Sequence, residues 1–195
     1  MTDFVRPTEI SFDQQELIHA ALVAMRNFGW SGNNQLALTC REVHKTKDPA
    51  QLVHGEATLQ NRENNEIIRQ DDWYQTLIPA FEGTYFEHVL ETFKSTKDRI
   101  GRLRLMKMPP KRGLSFHRDF GPRYHVAVLT NVACFFMLHE SDEPYGVPKM
   151  GTKMPNMGTH HIPADGNAYW VNTSTHHTVY NGGKTDRIHL VCSIL

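Results

Sequence analysis

From residue 98 to the C-terminus the chain reads as a succession of short strands, and this run limits the fold more than any other feature. Ile100, Leu103, Leu105, Met106 and Met108 form an apolar strand that ends at Pro109-Pro110. Further strand candidates follow at 114–119, 123–131, 133–139, 168–172, 176–181 and 186–194. They are separated by Gly121-Pro122, Asn131 and Asn181-Gly182-Gly183, residues that turns select. The first half has another character. Ser11-Phe12-Asp13-Gln14 has the form of a capping box with Ser11 as N-cap, and Leu17, Ala21, Ala24, Met25 and Phe28 recur at helical spacing before Gly29. Residues 35–41 alternate as an early strand, and 44–70 is a polar connection. Trp73, Leu77, Phe81, Phe86, Val89 and Phe93, interrupted by Pro79 and Gly83, predict two short helices within 72–95. Helices followed by short antiparallel strands fit a mainly β, double-sheet barrel backed by helices better than a parallel βαβ sheet.

At 195 residues the chain is long enough to bury a core without disulfides. It reads as one domain, with a mixed helical part at 1–97 and a barrel core at 98–195. With 21 basic and 21 acidic residues the net charge is zero, so the footprint of a nucleic-acid binder is absent. Cys40, Cys134 and Cys192 are odd in number and far apart, which predicts buried free thiols in a reducing compartment. No leader-like segment opens the chain and no apolar run is long enough to span a bilayer. The expectation is a cytoplasmic protein acting on a small molecule, with the oligomeric state left open.

His117-Arg118-Asp119 places an imidazole and a carboxylate two residues apart, and in an extended strand such positions share a face. A third ligand from a distant strand completes the two-His-one-carboxylate set that holds non-heme Fe(II) with open positions. His177 is the best candidate. Arg123 and His125 repeat the two-residue spacing on the next strand, where a barrel interior is otherwise apolar. If Asn181-Gly182-Gly183 closes a hairpin as a three-residue loop, His177 faces Arg187; a two-residue Gly182-Gly183 loop puts His176 beside Arg187 and His189 instead. Arg187 suits bidentate capture of a carboxylate, which points to a dicarboxylate that also chelates the metal.

Taken in order, His117-x-Asp119, Arg123-x-His125, Thr130-Asn131 and His177 with Arg187 ten residues later resemble a known family over about residues 100–195. It is the aspartyl/asparaginyl β-hydroxylase family of Fe(II)/2-oxoglutarate dioxygenases, and within it the proline cis-hydroxylase-like branch. The resemblance implies a double-stranded β-helix, the jelly-roll or cupin-like barrel. It implies that His117, Asp119 and His177 bind iron, that Arg187 holds the distal carboxylate of 2-oxoglutarate, and that Arg123 and His125 help bind this co-substrate. The implied reaction uses O2 to hydroxylate an aliphatic carbon of a free amino acid or related small molecule, releasing succinate and CO2. Members of the vertebrate type bind iron through two histidines only, so the retained Asp119 favours the small-molecule branch. A serine that some members carry before the first ligand has no counterpart; Met106 falls near its place. Two rivals remain: hydroxylation of Asp, Asn or Pro side chains in a peptide or protein, and a non-redox cupin-type protein holding Zn(II) or Mn(II). Arg187 weighs against the second. The 140–163 segment is a long loop or pair of irregular strands and a candidate lid. His160, His161, Trp170 and Asn172 are candidate substrate-covering residues, with loop surface or sheet core as the equal alternative.

Overall fold

The computed structural model describes residues 4–56, 73–139 and 157–195. In chain order the first elements are β1 (Val5–Ser11), α1 (Gln14–Phe28), β2 (Gln35–Ala37), β3 (Thr39–Cys40), α2 (Pro49–Gly55), β4 (Thr76–Leu77) and α3 (Tyr85–Lys94). Then come β5 (Ile100–Met108), β6 (Arg112–Gly113), β7 (Arg123–Leu129), β8 (Cys134–His139), β9 (Met157–His160), β10 (Asn167–Val171), β11 (His177–Asn181) and β12 (Arg187–Ile194). A six-stranded antiparallel sheet has the order β1-β10-β7-β12-β5-β2, and a four-stranded one has the order β6-β11-β8-β9. The fold is the expected jelly roll with helical backing. Among the described residues no helix is long and apolar enough to cross a membrane, and the three cysteines are buried and free.

Strand alternation decides where the core sits, because successive side chains leave a sheet on opposite faces. Leu103 and Leu105 of β5, Val126 and Val128 of β7, and Leu190 and Cys192 of β12 pack with α1, α2 and α3 in the main hydrophobic cluster. The other face looks into the barrel. There Arg187 lies opposite Met108, His189 opposite Met106 and Ala127, and His125 opposite Val191. A smaller cluster of Met108, Ala127, Phe136, Leu138, Ile162, Val171 and Val179 joins the two sheets.

Several local expectations are corrected. The N-cap of α1 is Asp13, whose Oδ1 accepts from Gln15 N at 2.8 Å and Glu16 N at 3.0 Å. Ser11 still pairs with Asn167 in β1. Gln14 does not reach back; its Nε2 donates to Val128 O at 2.9 Å and ties the helix to the sheet. The strand expected at 35–41 splits at Leu38, whose N–H donates to Leu103 O, while Thr39 Oγ1 accepts from Leu103 N. Within 44–70, α2 begins with Asp48 as N-cap and Pro49 in its first turn, a start signal present in the sequence; residues 57–72 lie outside the described ones. Of the two helices expected at 72–95, α3 forms in full and the other is a single 3-10 turn at Pro79–Phe81. Of the proposed lid, 140–156 lies outside the described residues and 157–160 is β9, paired with β8.

The hairpin expected at Asn181-Gly182-Gly183 does not form, since β11 belongs to the small sheet and β12 to the large one. The chain crosses between sheets there because the buried Asn181 side chain takes over the missing ladder bonds. Its Nδ2 donates to Met108 O at 2.9 Å and Thr185 O at 2.8 Å, and its Oδ1 accepts from Gly183 N at 3.0 Å. A Cβ on Gly183 would collide with the Asn131 amide, so a larger residue there would have to displace that side chain from its bonds to Asn181 and Thr185. Asn181→Ala orphans these buried partners and should cost about 2–4 kcal/mol in urea unfolding. Val132→Ala, at a site 87% exposed, should stay within about 0.5 kcal/mol; equal effects would contradict the corner's role.

Candidate metal centre

Two backbone hydrogen bonds build the site: His117 N to His177 O at 3.0 Å and His177 N to His117 O at 2.7 Å. They make an isolated antiparallel bridge, so the strand expected at 114–119 is not continuous: Leu114 N donates to Val179 O at 2.9 Å, and His117 makes the bridge. Asp119 N donates to Thr173 O at 2.8 Å, and Thr173 Oγ1 donates to Gly121 O at 2.6 Å. The extended segment is thus pinned on both sides of Arg118. Ligand atoms of His117, Asp119 and His177 come within 4.8 Å of one another. His177 is buried, while the two residues on the segment keep partial exposure, which places the cluster at the barrel mouth.

The donor set fits a metal. His117 Nδ1 lies 2.7 Å from Ser115 O, and His177 Nδ1 lies 3.0 Å from Thr175 O. A nitrogen facing a carbonyl must carry the proton, so both Nε2 atoms present lone pairs, the arrangement found around ligating histidines. Burial pushes His177 down to about 4, aided by the neighbouring His117 and opposed by the Thr175 carbonyl and Asp119; it is neutral at pH 7, as a ligand must be. Arg123 Nη2 donates to Asp119 Oδ1 at 2.8 Å, orienting the carboxylate. The other oxygen, Oδ2, is buried without a hydrogen-bond partner and lies 3.7 Å from His177 Nε2. An orphaned anionic oxygen beside two imidazole lone pairs is the coordination face of a cation.

The remaining candidates line one cavity of about 80 Å³ with His117 and His177: Arg123, His125 and Arg187, together with Phe136 and Thr173. Arg187 is buried, and burial pulls its guanidinium down to about 9, which leaves it cationic at neutral pH. Its Nη2 donates to His189 Nδ1 at 3.0 Å, and its Cζ lies 5.1 Å from the Phe136 ring centre. Among the described residues no carboxylate pairs with it. His125 is fully buried with neither ring nitrogen partnered; burial, followed by the charge of Arg187, holds it well below the usual imidazole range.

His176 is excluded from the cluster: its ring stacks on Phe116 at 5.5 Å. Trp170 sits opposite Tyr124 on the helix-facing side under Arg6, and Asn172 forms a turn through Ser174 N and Phe4 O. His160 lies opposite Phe136 in β9, and His161 Nδ1 donates to Cys134 O. Trp170 and Asn172 therefore serve the scaffold. Phe136, Thr173 and His189 were missed by sequence reasoning. Alternation in β12 carried a signal for His189, two residues from Arg187; a phenylalanine in an apolar strand carried none.

No family model matches the chain, and no curated protein matches it. Solved structures do. The chain is similar to a 2OG-Fe(II) oxygenase-family oxidoreductase from Burkholderia pseudomallei, with TM-score 0.52 and 12% identity over 96% of this chain and 81% of that one. It is also similar to the nickel complex of the non-heme monooxygenase ThoJ, with TM-score 0.51 and 14% identity over 98% and 73%. These likenesses establish the shared fold.

Two outcomes test the site. His177→Ala should weaken Mn(II) or Fe(II) binding by about a hundred-fold or more in calorimetry, against about three-fold for His176→Ala; the reverse order would reject the ligand set. The metal-free protein should also lose stability as pH falls from about 6.5 to 4. His125, His177 and His189 are all depressed in the fold, so the unfolded chain takes up their protons first, up to about 4 kcal/mol per pH unit if all three act together. A flat profile over that range would contradict their burial as neutral groups.

Proposed function

We propose that this protein is an Fe(II)- and 2-oxoglutarate-dependent dioxygenase that hydroxylates an aliphatic carbon of a free amino acid or related small molecule. The observation that carries the reading is Arg187. A buried cation without a counter-charge costs several kcal/mol, and this one lies on the barrel-facing side of β12 in the cavity that His117 and His177 also line. A dianion with one end on the metal and the other on Arg187 offsets that cost; 2-oxoglutarate has this form.

In this reading His117, Asp119 and His177 would hold iron. Arg123 positions Asp119 through its 2.8 Å contact, a role next to the metal rather than at the distal carboxylate. His125, buried in the lining of the same cavity with two unpartnered nitrogens, would supply a neutral N–H to the co-substrate. The apolar walls, Phe136 and Val179 among them, keep water from the reacting carbon. Iron with 2-oxoglutarate and O2 supplies oxidation of an unactivated C–H bond, coupled to release of succinate and CO2. The motif order from His117 to Arg187 supports the aspartyl/asparaginyl β-hydroxylase family and its proline cis-hydroxylase-like branch. Arg187 also favours this reading over a non-redox cupin-type protein, which has no standing need for a buried carboxylate clamp.

Succinate release in the presence of Fe(II), ascorbate and 2-oxoglutarate should be stimulated by one or more free amino acids and little by peptides containing Asp, Asn or Pro. Stimulation by peptides alone would move the substrate to a protein side chain. Arg187→Met should cost about 2–5 kcal/mol of 2-oxoglutarate affinity, at least about thirty-fold; an unchanged requirement would remove the clamp.

A further inference from the structure

Gln35 opens β2 at the edge of the six-stranded sheet, opposite Met106, and it lines the same cavity as His117, His177 and Arg187. Its backbone is pinned to the turn before it. Gln35 N donates to Ser31 Oγ at 3.1 Å, and its carbonyl accepts from Ser31 N at 3.3 Å. The preceding residue is tied to β5, where Lys107 N donates to Asn34 O at 2.9 Å. The side chain is held as well: Arg104 of β5, buried and outside the cavity lining, donates from Nη1 to Gln35 Oε1 at 2.8 Å. Because a guanidinium can only donate, this contact fixes the amide with its oxygen on Arg104. What Gln35 has left to offer the cavity is Nε2, an N–H donor without a partner among the described residues.

We propose that Gln35 is a substrate-recognition residue, its Nε2 donating to the carboxylate of a small free acid in the cavity while Arg104 positions the amide from behind. This rests on the reading of the cavity as a dioxygenase site, and it adds which group of the substrate the chain reads. The sign of the charge follows from the lining, to which Arg123, Arg187 and Lys107 belong and no aspartate or glutamate does. Three of the nearby cations are engaged elsewhere: Lys107 Nζ lies over the Trp30 ring at 5.1 Å, Arg123 holds Asp119, and Arg187 takes the co-substrate in that reading. At Gln35 the cation is therefore Arg104, one hydrogen bond behind the amide. A guanidinium bonded to Oε1 polarises the amide and strengthens its N–H as a donor, and an anionic acceptor gains most from that. Glutamine suits this position where glutamate does not. Both accept from Arg104, but a carboxylate would cancel its charge and repel a substrate anion.

The test is calorimetric titration of the intact chain, loaded with Mn(II) and 2-oxoglutarate, with the protein amino acids and with the primary amide of each one that binds. In the wild type at least one free acid should bind about ten-fold or more tighter than its amide. Failure to take up 2-oxoglutarate would overturn the dioxygenase reading and this inference with it; uptake without any such acid preference would overturn the inference alone. Gln35→Leu should weaken the free acid about ten- to a hundred-fold and the amide less. Gln35→Glu keeps an acceptor for Arg104 but puts an anion where the donor was, so the preference should reverse toward the amide, whose own N–H groups can donate. It is the deciding variant if leucine does not fold. Both variants should keep 2-oxoglutarate affinity within about three-fold of wild type. An acid preference retained in Gln35→Glu, or equal losses of acid and amide in Gln35→Leu, would reduce Gln35 to a structural partner of Arg104 and overturn the inference.

Discussion

The single pairing of His117 with His177 is the contact on which the candidate site depends. It joins two segments sixty residues apart through bonds of 3.0 and 2.7 Å, and it does so at the end of β11, where His177 also pairs with Leu138 of β8. A strand of ordinary length would have fixed the ligands more firmly. One bridge, with Asp119 held by Thr173 and Arg123, leaves a short extended segment whose side chains converge on a point. Each histidine then uses its own i−2 carbonyl to set its tautomer. Positioning is therefore local, and it needs few other residues.

The polar barrel interior is possible because stability is assigned elsewhere. The larger hydrophobic cluster lies between the helices and one face of the six-stranded sheet, and the cluster between the two sheets is small. Along β7 and β12 the alternation of a strand separates the two tasks: Val126, Leu190 and Cys192 face the helices, while His125, Arg187 and His189 lie on the barrel-facing side, the first two in the cavity lining. Buried cations and unpartnered imidazoles carry a cost that an apolar interior would avoid. Part of that cost falls in the cavity that His117, His177, His125 and Arg187 line together, where a ligand with charge at both ends can offset it.

Much of this was legible in the sequence, for reasons that can be named. The strands β5, β7, β8, β10, β11 and β12 announced themselves through alternation and turn residues, and the i, i+2 spacing of polar residues marked β7 correctly. Two signals favour His177 over His176 in the sequence, the spacing of the resembled family and a three-residue hairpin, and the hairpin does not form. The choice agrees with the geometry because His177 pairs with His117, a contact between distant segments that no local pattern records. Asn181-Gly182-Gly183 looked like a hairpin turn because the sequence does not show that Asn181 would be buried and bonded to Met108. Arg123 illustrates the same limit: its type and position were plain, yet its partner Asp119 emerged only with the fold.

The most direct measurement is an anaerobic titration of the metal-free protein with Fe(II) and 2-oxoglutarate, followed in the visible range. A charge-transfer band that requires both components and weakens in Arg187→Met is the predicted result. No band, together with tight binding of Zn(II) or Mn(II) indifferent to 2-oxoglutarate, would contradict the dioxygenase account and leave the three ligands to non-redox chemistry.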